Sequence, residues 1–333
     1  MTTLKLTGLK GHHPLGFLAA CGTAVACAEA REGVRLGWTR PIEEGPWIAQ
    51  IQFHTHGNPF DELLSILMTR ARNQNSSPAL GWPDGQKKTD RKINKQQPAR
   101  FREYAKKALA QEDISLARIQ SNAFAALTTD AIITRDHMLQ PTYFDMTSAS
   151  QGFVDQIKDL AKNLAKVPSG QSTKPTPQCS FQEALIGPWQ YRDDEHSLGW
   201  DPQAQRLHAL RNKAPTNDAQ GLSVRAAVFL ASQALPLFPC FAVAGKLRTT
   251  GFYREKGEDW FSWPIWRDPI SLDTLRSLLA HPFSNDLRRR GVEVVYRCRR
   301  VRTGGSEGNY QVFSHPELRA WPLTRRSISA RQR

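Results

Sequence analysis

Hydrophobic and polar positions alternate or recur along the chain with periods that predict a series of elements. Leu4, Leu6 and Leu9 suggest a short first strand. Residues 15–30 are apolar and mostly small, which predicts a buried helix, and Pro14 opens it where a missing N–H costs nothing. Gly16, Ala19, Ala20, Gly22 and Ala26 would let another backbone come close to that helix. Residues 34–38 and 47–54 alternate like strands, so the chain begins strand, helix, strand, strand, an α+β start. Helical spacing returns at 59–72, 101–110, 114–127 and 148–167. The last of these carries the apolar stripe Phe153, Ile157, Leu160 and Leu164.

Residues 168–177 (PSGQSTKPTP) carry the clearest linker signal. They divide an N-terminal α+β region, 1–167, from a C-terminal mixed region, 181–333, with the linker at 168–180. In the second region an apolar helix is expected over 221–235, ended by Pro236. Residues 246–252 and 261–266 are strand-like. Ser271 caps a helix whose Leu272, Leu275, Leu278 and Leu279 face inward, and Pro282 ends it. Last comes a hairpin over 288–314, with alternation from Gly291, Gly-rich turn material at 303–308 and a returning strand. The expected fold class is therefore α+β: a mixed N-terminal sheet with a helical segment over 59–167, then a mixed α/β region ending in a basic hairpin.

Charge narrows the function. The 333 residues have a net charge of +14, with nine Trp and fifteen Phe, and a pI near 9.8. A chain this basic and this apolar is no disordered tail, and neutralising phosphates releases counterions, so nucleic acid is the first partner to consider. An anionic membrane would attract the same charge, but no basic amphipathic helix is evident to dock there. Five scattered cysteines without a CxxC pair argue for a reducing compartment. Residues 15–28 imitate a secretory signal, but their small-residue composition and the strand before them favour a buried helix and a cytoplasmic protein.

Two basic blocks carry the candidate chemistry. The long polar loop 76–99 holds Lys87, Lys88, Arg91, Lys92 and Lys95, and Arg100, Arg102, Lys106 and Lys107 continue the charge. The hairpin region holds seven arginines. Its alternation places Val292, Val294, Tyr296 and Cys298 on one face, and Glu293, Val295, Arg297 and Arg299 on the other. A solvated edge strand protected by charge is the plainer reading, but one or two charges suffice for that. Arg297, Arg299, Arg300 and Arg302 are expected to meet phosphate, and Lys87 to Lys95 to grip a duplex or displaced strand. Asn309 and Gln311 are candidates for reading base edges. His12 and His13 have no acidic partner nearby in sequence, and His54, His56 and Asp61 read as structural. Asp193, Asp194, Glu195 and His196 read as an exposed turn. No Walker loop, GxGxxG, GxSxG or HExxH occurs. The expectation is a binding protein, not an enzyme, with no cofactor.

Several stretches add a family resemblance: HPLGFLAACG at 13–22, FDMTSASQGFVDQI at 144–157, SLGWDPQAQRLHALR at 197–211, LPLFP at 235–239 and WPIWRDPISLDTLRSLL at 263–279, with the hairpin closing the series. In these the chain resembles the large subunit of the type I-G (formerly I-U) CRISPR surveillance complex, Cascade. The resemblance implies a non-nuclease at the foot of the complex, near the 5′ end of the guide CRISPR RNA. Such a subunit reads the protospacer-adjacent motif in duplex DNA, helps start R-loop formation and presents the opened DNA to the helicase-nuclease. Its partners would be the guide RNA, target double-stranded DNA, the backbone and guide-handle-binding subunits and the helicase-nuclease. Two other roles stay open: a CRISPR RNA-processing endoribonuclease with His12 or His13 as base, and a structural adaptor bridging other subunits.

Overall fold

The computed structural model describes residues 1–74, 82, 91–147, 152–166, 175–193, 196–203, 223–281, 286–303 and 310–319. The fold is α+β. Its N-terminal elements are β1 (Thr2–Lys10), α1 (Pro14–Ala28), β2 (Arg35–Thr39), β3 (Ile48–Phe53) and α2 (Pro59–Gln74). Then come α3 (Pro98–Leu109), α4 (Ile114–Leu127), α5 (Phe153–Ala165), α6 (Pro177–Ile186) and α7 (Arg225–Gln233). The remainder is β4 (Cys240–Val243), β5 (Lys246–Thr249), β6 (Phe252–Glu255), β7 (Glu258–Trp266), β8 (Ile270–Ser271), α8 (Leu272–Ala280), β9 (Val292–Thr303), β10 (Tyr310–Phe313) and β11 (Glu317–Leu318).

Helix α1 is the hub. Every residue from Pro14 to Cys27 is buried, so it has no solvent face, as its uniformly apolar sequence requires. It packs most extensively on α7, and Gly22 is what allows this: a Cβ there would stand 1.7 Å from the Leu230 carbonyl oxygen. The expected close approach is therefore real, and α7 is the element that makes it.

Two antiparallel sheets flank the helices. The first has the order β1-β3-β2-β8, and the second β10-β9-β7-β6 with β11 also paired to β9. Strands β4 and β5 form a separate two-stranded hairpin. The expected 246–252 strand is broken at Thr250–Gly251, so β5 and β6 belong to different sheets. Pro264 lies inside β7, where a missing N–H would normally break a ladder. The β6 pairing stops at Phe261, so Pro264 needs to serve only the β9 side.

The two expected regions share one core. Strand β8 pairs with β2, the Trp266 Nε1–H donates to the Leu36 carbonyl at 2.8 Å and the Trp263 Nε1–H to the Gly11 carbonyl at 2.8 Å. Phe17, Trp38 and Trp266 pack ring against ring. A single cluster of buried side chains runs from Leu6 to Phe313. The division at 168–180 is thus a break in composition and not a break in packing, because α1 has apolar surface on all sides and the N-terminal region alone does not cover it. Residues 168–174 lie outside the described residues; Pro177 already begins α6.

Candidate nucleic-acid interface

Strand β9 is not an edge. It pairs with β7 on one side and with β10 and β11 on the other, which removes edge protection as the reason for its arginines. Alternation sends Arg297 and Arg299 to one face and Arg300 and Arg302, with Cys298, to the other.

The outer-face arginines are occupied. Arg297 contacts Glu255 at 2.7 Å and Glu317 at 2.7 Å, and its guanidinium lies 4.2 Å from the Trp260 ring centroid. Arg299 meets Glu258 at 3.0 Å, with both groups about half exposed. This face is a closed charge ladder across β6, β7, β9 and β11, and Arg297 is the member held most firmly. Of the outer pair, only Arg299 is exposed enough to exchange its carboxylate for a phosphate.

The other face leads elsewhere. Arg300 Nη2 donates to the Asp145 carbonyl at 2.8 Å, and its guanidinium stands 5.2 Å from the Tyr143 centroid. The Asp145 carboxyl is buried, and burial raises its pKa against the hydrogen bonds from Thr147 and the charges of Arg300 and Lys92. Burial likewise lowers Arg300, opposed by Asp145 and Asp259. Lys92 belongs to the other basic block, so Asp145 is the point where the two blocks meet.

Backbone hydrogen bonds hold the same junction. The Leu139 N–H donates to the Gln96 carbonyl at 3.0 Å and the Gln311 N–H to the Met146 carbonyl at 3.0 Å. Lys92 to Lys95 are carried on a single 3-10 turn, Ile93–Lys95, anchored by the buried Ile93. Arg91 is drawn back to Asp155 of α5 at 3.3 Å. Lys95 and Arg302 are exposed and have no ion-pair partner among the described residues. Lys87, Lys88 and Asn309 lie outside the described residues.

Arg300 Nε and Gln311 Oε1 are buried with no hydrogen-bond partner among the described residues. Each such group costs about 1–3 kcal/mol when left unpaired. The sequence pointed to Arg300 and Gln311 separately. What it missed was Asp145, whose only sequence signal was its place within FDMTSAS.

The histidine pair also acquires a partner. His13 Nε2 lies 3.2 Å from Oδ1 of the fully buried Asp201, 188 positions away in sequence. Its Nδ1 accepts from the Gly16 N–H at 3.4 Å, capping α1. Nδ1 is thus occupied as an acceptor, while Nε2 faces the Asp201 carboxylate without a hydrogen bond of its own among the described residues. Asp193 is not an exposed turn residue: it accepts from the Arg225 N–H at 2.9 Å and pairs with the buried Arg225 guanidinium, because the start of α7 needs a buried acceptor there. Asp194 and Glu195 lie outside the described residues. Near His54 and His56, Glu62 takes the hydrogen bonds of Thr55 and the His56 N–H. No cluster of three metal-ligating side chains occurs among the described residues, and none of their helices is long and apolar enough to cross a membrane. No protein-family model matches this chain, and no curated protein is significantly similar to it.

Proposed function

We propose that this chain is the non-catalytic, nucleic-acid-binding large subunit of a type I CRISPR surveillance complex, acting on duplex DNA beside the guide RNA in the cytoplasm. In this reading it recognises the protospacer-adjacent motif, helps open the duplex and offers the DNA to the helicase-nuclease. One observation supports the nucleic-acid part: two basic blocks, about 200 residues apart in sequence, both bear on Asp145, Arg300 by a hydrogen bond to its carbonyl and Lys92 through its charge, and each block keeps an exposed cation, Arg302 and Lys95. Lys95 and Arg302 supply phosphate contacts, and Gln311 a group able to address a base edge. The CRISPR part rests on the sequence resemblance.

A gel shift of the guide-loaded complex, with and without this chain, tests the reading on duplexes with randomised flanks. Flank-dependent binding that requires the chain supports it; equal binding without the chain overturns it. The double variant Lys95→Ala/Arg302→Ala is expected to lower the slope of log affinity against log salt by about two, close to one per lost phosphate contact. Arg297→Ala, which opens the ladder on the outer face, is expected to leave that slope unchanged while costing about 1–2 kcal/mol of stability.

The adaptor reading keeps one observation of its own. Phe241 and Val243 on β4 are 44% and 48% exposed, an apolar surface on a projecting hairpin. It predicts the opposite gel-shift result.

A further inference from the structure

A cavity of about 510 Å³ opens at the junction of β1, the turn before α1 and the segment after α6. Lys10, His12, His13, Trp189, Tyr191 and Gln203 are among its lining residues, and no acidic side chain lines it among the described residues. It exists because β1 and the end of α6 touch backbone to backbone. A Cβ on Gly8 would stand 2.5 Å from the Ala184 carbonyl oxygen, and the Thr7 hydroxyl donates to the Ile186 carbonyl at 2.6 Å.

The walls are fixed in place. Trp189 Nε1–H donates to the Ala184 carbonyl at 3.0 Å, and the ring makes edge contacts with His13 at 5.4 Å and Tyr191 at 6.2 Å. Tyr191 hydrogen-bonds to Asp201 and has a φ of +53°, a left-handed backbone that a bulky residue adopts only when its surroundings impose it. Asp201, tied to His13, Tyr191 and the Gln203 N–H, anchors the whole wall. Burial, with His13 and Lys10 beside it, keeps His12 below the usual imidazole range, so its neutral ring offers both a donor and an acceptor.

We infer that this cavity is a nucleotide site that takes one unstacked base against Trp189 and His12, with its phosphate toward Lys10. The volume suits a small ligand. A rigid aromatic wall, a neutral imidazole, an amide and one cation without a carboxylate match a heteroaromatic base carrying an anion. The inference rests on the nucleic-acid reading above and deepens it. His12 stands 6.4 Å from the Tyr296 ring, and Tyr296, Arg300 and Arg302 share one side of β9, spanning about 20 Å. A short single strand is long enough to place a base in the cavity and a phosphate at the exposed Arg302. The base has two possible sources, a nucleotide within a strand and a free mononucleotide.

The test uses the full chain and two probes: 2-aminopurine riboside monophosphate, and 10-nucleotide RNA and DNA strands with 2-aminopurine at each position in turn. The expected result is fluorescence quenching at one strand position, with Trp189→Leu weakening strand binding roughly 5- to 150-fold. The salt slope stays unchanged in that variant, whereas Lys95→Ala/Arg302→Ala flattens it. His12→Ala/Lys10→Ala, which leaves the tryptophan in place, guards against a folding defect in the tryptophan variant, and thermal melts of all variants accompany the titrations. Strand binding that is neither quenched nor weakened in the cavity variants overturns the inference and leaves the nucleic-acid reading standing. If no strand binds, that reading fails and the monophosphate decides: quenching that the variants abolish keeps the cavity as a mononucleotide site, and its absence overturns it.

Discussion

Arg297 and Arg302 are five residues apart on one strand and have opposite environments. Arg297 lies between two carboxylates over an indole, whereas Arg302 is exposed. Alternation in the sequence assigns them to different faces, but it does not show that Glu255 and Glu317 arrive on β6 and β11 to neutralise one of those faces. The same limit hid Asp201 from His13. Pairing across such separations is a product of topology, and single-sequence periodicity reports only local geometry. His196 gives a residue-scale prediction. Its Nδ1 accepts from the Leu198 N–H at 2.8 Å, and burial pushes its pKa down to about 4, so the folded state prefers the neutral ring. An unfolded imidazole takes up its proton near pH 6.5. Stability from this group is therefore complete above pH 6.5 and falls toward pH 4 by about 1.4 kcal/mol per unit. Between pH 7 and pH 5, urea unfolding of the wild type should lose about 2 kcal/mol more than His196→Gln. Equal losses in the two proteins would refute this.

At the scale of elements, the strands and helices were legible where the pattern was strong. The buried α1, the stripe on α5 and the Ser271 cap on α8 all follow from spacing. The β5–β6 break was only half legible: Gly251 inside the strand-like stretch marks an interruption, but only the partner strands reveal the change of sheet. Gly22 shows what a small residue does for packing. Gly22→Ala should destabilise the protein by about 3 kcal/mol, at the upper end for overpacking, because the obstacle is the backbone of α7 and not a movable side chain. Gly57→Ala, whose added Cβ meets nothing within 4 Å, should change stability by less than about 0.5 kcal/mol. Chemical denaturation of the pair measures the difference, and similar values would show that α7 shifts readily.

For the molecule as a whole, composition suggested two regions, and the packing joins them. The change at the linker is one of composition, tryptophan and arginine after residue 180, and composition says little about which side chains share a core: Trp200, Trp263 and Trp266 are buried in the same cluster as Leu6 and Phe17. With β8 completing the N-terminal sheet and α7 covering α1, unfolding should be a single transition. Far-ultraviolet circular dichroism and tryptophan fluorescence are expected to give coincident denaturation curves. Two separated midpoints would restore the two-region view.

The burial of α1 on all sides has a consequence for synthesis. The helix leaves the ribosome roughly 200 residues before α7, which at about 5–20 residues per second is a wait of 10–40 s. Throughout that interval one of the most apolar stretches of the chain is without the helix that covers it. Nascent-chain binding by a holdase chaperone should therefore begin once residues 14–27 emerge, and end only after Gln233 has left the tunnel.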